Sequence, residues 1–232
     1  MKNIICILIC GFVVGCASSG FNRGTLKGQL GVKTPVVTDA EIEKVLALKP
    51  NLPKTFKLGV FFKNSDSYYQ FSNWRWSDED KNIFLNLSKK SDYSEMITEV
   101  FQILPSTISG EGDLNSIRLA AARHGADAVL IVSGVGEVDR YTNNLGWSYF
   151  LIAPALFVPG SEADALFMAN ATLWDVRNGY LYLTAEAESQ TSNTYIAAYG
   201  KENKQLLEVS KNKALKKLDE ELLKMVQGIK KR

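Results

Sequence analysis

The side chains able to do chemistry are few, and their spacing narrows what they could do. His124 is the only histidine. It falls at the end of a predicted helix beside Gly125, where the helix dipole favours its charged form and a capping or surface role. An imidazole-activated serine or cysteine site needs a nucleophile, a base and an orienting acid together. A zinc centre needs several His or Cys ligands. One histidine, with no second partner of its kind, supplies neither. Glu186 and Glu188 share a strand face near Asp175, which would suit a glycosidase-like carboxylate pair. Acid/base work needs one carboxyl in a desolvated pocket, and these two alternate with the apolar face and so point to water. Gly110, Gly112, Gly134 and Gly136 lack the strand, Gly-rich loop and helix order of a phosphate-binding turn. We therefore expect no catalytic, metal or cofactor site, and a protein that is not an enzyme. A cell-wall glycan-processing enzyme would require an acidic cleft.

The remaining reactive group is a thiol. Lys2 is the only charge before an apolar run from Ile4 to Val14, and Gly15 precedes Cys16. This is the layout of a secretory signal. The run is about half of the roughly 20 residues that cross a bilayer. Val13-Val14-Gly15-Cys16, followed by Ala17-Ser18-Ser19, resembles a lipobox, in which the cysteine receives diacylglycerol and the signal is cleaved before it. The expected organisation is a cleaved signal over 1–15, a lipidated tether over 16–54 and one α/β domain over 55–232. Cys6 and Cys10 leave with the signal, so the mature domain has no disulfide and depends on its core. Ala17 and Ser18 lack the aspartate that retains lipoproteins in the inner membrane. The destination is then the outer membrane, with the domain facing the periplasm. Loss of Lys2 with the signal leaves 26 basic residues against 25 acidic ones, a balance that argues against a nucleic-acid surface.

The elements follow from periodicity. Between 17 and 54 no pattern is sustained, although Asp39 could cap a short helix carrying Ile42, Val45, Leu46 and Leu48 before Pro50 and Pro53. Phe56–Phe62 reads as a strand. Ser77 caps a helix with an acidic first turn, whose apolar face holds Ile83, Phe84 and Leu87. Ile97–Leu104 is β-branched and ends at Pro105, a second strand. Asp113 caps a helix closed by Gly125. Ala128–Val132, apolar on both faces, suits a central strand, with Val135–Asp139 as its half-exposed continuation. Ala165, Phe167, Ala169, Ala171 and Leu173 alternate, Asn178-Gly179 offers a two-residue turn, and Leu181, Leu183, Ala185 and Ala187 return. A long helix from about Glu202 to Lys230 carries Leu215, Leu218, Leu222, Val226 and Ile229 on one stripe. The fold class is an α/β sandwich with a mixed sheet of about five strands, in the order β-α-β-α-β-β-β, and a long C-terminal helix.

Two motifs give a resemblance. Ala120-Ala121-Ala122-Arg123-His124-Gly125-Ala126-Asp127, running into Ala128–Val132, is similar to a step in lipoproteins related to the curli-secretion lipoprotein and to the TolB N-terminal domain. Asp175-Val176-Arg177-Asn178-Gly179 resembles their later hairpin turn. With the lipobox and the charged terminal helix, the chain resembles the rhombotarget lipoproteins over roughly Phe56 to Arg232. Its last residues, Gly228 to Arg232, lack a Gly-rich motif or apolar tail, so C-terminal processing is not expected.

Two stretches could carry binding. Tyr68, Tyr69, Phe71, Trp74 and Trp76 crowd a connection beside Arg75, and aromatics with arginine are enriched at interface hot spots. They serve either as a partner or glycan surface or as a lid folded on the core. The second is 145–158, with Trp147, Tyr149 and Phe150. It is too short for a membrane-spanning helix and would be a buried connector, an oligomer contact or a membrane-touching segment. Curli-type relatives elaborate this region into pore strands, but Pro154 and the lack of polar alternation argue against that. The expected partners are the lipid bilayer through Cys16 and an envelope protein or a second copy. A subunit of a secretion or export apparatus is the alternative.

Overall fold

The computed structural model describes residues 20–30, 38–63, 74–109, 112–142, 161–195 and 203–230. Five strands form one mixed sheet: β1 (Phe56–Lys63), β2 (Ile97–Ile103), β3 (Ala128–Thr142), β4 (Ser161–Asp175) and β5 (Leu181–Tyr195), in spatial order β2-β1-β3-β4-β5. β1 runs parallel to both β2 and β3, while β3, β4 and β5 are antiparallel. The helices are α1 (Arg23–Leu30), α2 (Asp39–Leu46), α3 (Asp78–Leu85), the single turn α4 (Ser91–Ser94), α5 (Leu114–Arg123) and α6 (Asn203–Lys230). The expected α/β class, mixed sheet and long final helix are all present.

β3 is central, as its two apolar faces require. On one face Leu130, Val132, Ala165 and Phe167 pack under Phe84 of α3 and under Leu207, Leu215, Leu218 and Leu222 of α6. On the other, Val129 and Ile131 meet Ile117, Ala120 and Ala121 of α5. β3 and β4 run well past β1, whose last partner on β3 is Ser133. This overhang is a three-stranded arm made from the ends of β3, β4 and β5. On the α5 side of the arm, Val135, Leu166 and Met168 lie beyond the core that α5 covers, and Leu26 and Leu30 of α1 close over them.

Segment 16–54, expected as a tether, thus contributes a docked helix. The short helix expected after Asp39 is α2, and it buries none of its residues against the described ones. Its cap is Thr38 rather than Asp39: the Glu41 amide donates to Thr38 Oγ1 and the Thr38 amide to Glu41 Oε2, a reciprocal box that satisfies two orphan donors. Ile42, Val45 and Leu46 are 47%, 64% and 78% exposed.

The hairpin turn also differs from the two-residue form. Gly179 alone has a positive φ (+75°), and the loop closes with the Asp175 amide donating to the Tyr180 carbonyl. Asp175 Oδ1 accepts the amides of Arg177 and Asn178, an Asx turn in place of a second left-handed residue. The accompanying register shift at Leu173/Trp174 leaves Leu181 42% exposed instead of inward. The two motifs behind the family resemblance meet here. The Val176 amide donates to the Asp127 carbonyl, and Arg177 Nη2 lies 2.6 Å from Asp127 Oδ1.

Gly134 and Gly136 make room on β3. A Cβ at Gly134 would sit 2.8 Å from Phe167 Cζ and 3.0 Å from Trp74 Cη2. Gly134→Ala should lower stability by about 1–3 kcal/mol through overpacking, read as a lower urea midpoint at unchanged slope.

Candidate functional site

The groups first tested for catalysis are structural in this fold. His124 terminates α5, its amide donating to carbonyls of the last turn and its exposed ring lying 5.9 Å from Phe101. Glu188 and Glu186 point outward and pair with α1, at 3.3 Å to Arg23 and 3.7 Å to Lys27. Asp175 is fully buried, but its oxygens are spent on the turn amides and on the Tyr182 hydroxyl at 2.8 Å. A core void of about 30 Å³ among Leu58, Leu130, Leu173, Leu183, Leu222 and Val226 has room for a water-sized guest only. Among the described residues no group of three or more His, Cys, Asp or Glu is placed to hold a metal. Among them also, no helix is long and apolar enough to cross a membrane.

Of the aromatic candidates, Trp74 and Trp76 lie within the described residues. Cys16, Tyr68, Tyr69, Phe71, Trp147, Tyr149 and Phe150 lie outside them. Trp76 is a core residue, 9% exposed and packed on Phe62 at 5.4 Å. Of the two readings given for the stretch, Trp76 takes the second, folded on the core. Its indole N–H donates to the Lys63 carbonyl at 3.1 Å. Trp74 stands edge-on to Trp76 at 5.0 Å and to Phe167 at 4.8 Å, half-buried over Gly134. Its buried indole nitrogen has no hydrogen-bond partner among the described residues. The two ends of 64–73 are therefore tied together and rooted in the core.

A buried ion group fixes the same root. Lys211 and Asp80 have side chains 1% and 2% exposed, with Lys211 Nζ 2.8 Å from Asp80 Oδ2. The ammonium also lies 2.6 Å from Glu208 Oε2 and donates to the Arg75 carbonyl at 3.0 Å. Three acceptors match its three protons. Asp80 in turn caps α3 by accepting the Ser77 amide. The sequence analysis did not single out this clamp, because residue type alone does not mark one lysine of a charged helix for burial. The available signal was its place in the stripe Leu207, Lys211, Ala214, Leu218.

The arm is the most polar part of the sheet. Asp139 and Asp164 are direct partners across β3 and β4. Asp139 Oδ2 accepts the Gly20 amide at 2.8 Å. Asp164, 3% exposed, accepts the Tyr141 hydroxyl and the Gln190 amide through Oδ2, while Oδ1 has no partner among the described residues. Burial, and then hydrogen bonding to the carboxylates of Glu162 and Asp164, push the Tyr141 phenol up to about 12. Burial, and then the charge of Asp139, hold the Glu137 carboxyl above its ordinary value of 4.5.

α1 docks chiefly through its leucines. Burying a leucine is worth about 1.5–3 kcal/mol, whereas half-exposed ion pairs such as Arg23–Glu188 contribute roughly 0–1 kcal/mol. The pairs set register, together with the Ser133 hydroxyl donating to the Leu30 carbonyl at 3.0 Å.

No family model matches the chain and no curated protein matches it in sequence. Among solved structures, the chain is similar to a minor lipoprotein from Acinetobacter baumannii, at 11% identity and TM-score 0.39, covering 78% of this chain and 96% of that one. It is similar to a PelC dodecamer from Paraburkholderia phytofirmans, at 16% identity and TM-score 0.32, covering 73% and 90%. A lipoprotein from Neisseria meningitidis is 14% identical with TM-score 0.31, covering 69% and 96%. Scores this low leave the functional reading to the residues themselves.

Two substitutions separate the electrostatic roles. Lys211→Met strands Asp80 in the core and should cost about 3–5 kcal/mol, most of it recovered on adding Asp80→Asn, as read by chemical denaturation. A carboxyl whose folded pKa is raised contributes stability below its unfolded value and loses it as pH rises through the folded one. Glu137→Gln should therefore be more stable than the parent at pH 7, with the difference closing below 4.5. Thermal melts across that range read it.

Proposed function

We propose that this chain is an envelope lipoprotein, held in the outer membrane by diacylglycerol on Cys16, whose periplasmic domain is a non-enzymatic interaction or assembly module. The observation that carries the interaction role is the tied root of 64–73. Trp76 bonds across to Lys63, Trp74 packs on Phe167, and Lys211 grips the Arg75 carbonyl. The residues on either side of Tyr68, Tyr69 and Phe71 in the sequence are thus fixed in the core. Rigid bases under aromatic loops lower the ordering cost of binding. The residues suited to acid/base work are meanwhile occupied in turn closure, ion pairing and helix docking.

Self-assembly, as in a subunit of a secretion or export apparatus, is the second reading. It is favoured by β5, fifteen residues long and paired only with β4 among the described strands. An edge of that length is a template for strand addition. Lys217, donating to the Glu188 carbonyl at 3.1 Å, covers one position of it.

Photo-crosslinking in cells, with the probe at Tyr69 and separately at Trp147, decides between them. Mass spectrometry of a discrete adduct naming a different envelope protein supports docking, and an adduct of the chain with itself supports assembly. No adduct from either position would remove the interaction role.

A further inference from the structure

We infer that the open end of the β3–β4–β5 arm, formed by Thr142, Ser161 and Tyr195, rests on the surface of the bilayer that holds the lipid, with the hairpin turn 176–180 pointing away. The inference deepens the proposed function and rests on its reading of Cys16.

The argument is one of reach. Gly20 is bonded to Asp139 through its amide at 2.8 Å. From there α1 runs back along β3, its last carbonyl accepting the Ser133 hydroxyl. The N-terminal end of α1 therefore points to the open end of the arm. Three residues lie between Cys16 and Gly20, and the four steps from one to the other span at most ~14 Å fully extended. Asp139 lies roughly 10 Å from the end of β3 at Thr142, counting ~3.3 Å per residue. The other end of β3, at Ala128, is about 36 Å from Asp139 on the same count. A lipid on Cys16 can reach a membrane at the arm end and cannot reach one at the hairpin turn.

The sequence at the arm end suits that neighbour. Ser161 pairs with both Thr142 and Tyr195, so three strand ends lie side by side. Residues 143–160, which join the first two, contain no charge and include Trp147 and Tyr149. Tyrosine and tryptophan in an uncharged stretch favour the interface between headgroups and acyl chains. α1 also fixes the angle of approach, since it is held by two buried leucines and two ion pairs. A free tether of this length would leave the domain to tumble over the membrane.

Lipidated protein purified from membranes tests the inference. Once Cys16 is acylated and the signal is gone, the mature chain has no other cysteine. Thr142→Cys, Ser161→Cys and Asn178→Cys can then be labelled singly with bimane. Each is placed in phosphatidylethanolamine/phosphatidylglycerol vesicles containing a headgroup-nitroxide lipid. Thr142 and Ser161 labels should lose most of their fluorescence and the Asn178 label almost none. Leu26→Asp with Leu30→Asp, which undocks α1, should abolish that contrast while the protein stays vesicle-bound. Intact mass separates the two failures. If diacylglycerol is absent from Cys16, the anchoring reading falls and takes this inference with it. If the lipid is present and Thr142 is quenched no more than Asn178, only the orientation is overturned.

Discussion

β3 is buried on both faces from Ala128 to Gly136, and much of the fold follows from the need to cover it. Its first half, Ala128–Val132, is buried between α6 and α5 in the usual manner of a central parallel strand. Its second half continues past β1 into the arm. There one face is still roofed by the first turns of α6, but the other is beyond α5. Three large apolar groups on that face, Val135, Leu166 and Met168, would stand in water. α1 resolves the problem, and in doing so it makes the segment next to Cys16 part of the sandwich.

A second device holds the opposite layer. α3 and α6 meet at the Lys211–Asp80 pair, where one ammonium serves two carboxylates and a backbone carbonyl. A buried pair is weak evidence of stability in itself, since desolvation offsets its attraction. Here it also fixes where the chain re-enters the core after 64–73, because Arg75 and Ser77 are both bound to it. The aromatic pair Trp74 and Trp76 completes that root by packing against Phe62 and Phe167.

The two ends of the sheet differ in chemistry. At the hairpin end, Asp127, Arg177, Asp175 and Tyr182 form a closed set of bonds that lock the turn to the start of β1 and to residues 49–51. Polar groups there are matched to one another. At the arm end, Asp139 and Asp164 are paired across β3 and β4, and among the described residues Asp164 Oδ1 has no partner.

The local pattern of the sequence determined the elements. Ser77 and Asp113 marked helix starts, Gly125 a helix end, and two-residue alternation marked β4 and β5, because caps and strand period depend only on near neighbours. The thiol of Cys16 and the shortage of catalytic partners were legible for the same reason, being matters of residue type. Tertiary structure decided the rest. α1 has two glycines and only Leu26 and Leu30 to bury, a pattern too sparse to read until the overhang of β3 and β4 gives those leucines a place. The reverse holds for α2, whose clear apolar stripe found no surface among the described residues. Lys211 carried no local signal of burial, and only the approach of Asp80 from 131 positions earlier in the chain makes burying it affordable. Trp76 read as a contact residue because composition cannot tell a loop's root from its tip. Such features depend on which distant atoms arrive opposite a side chain, and that is settled by packing.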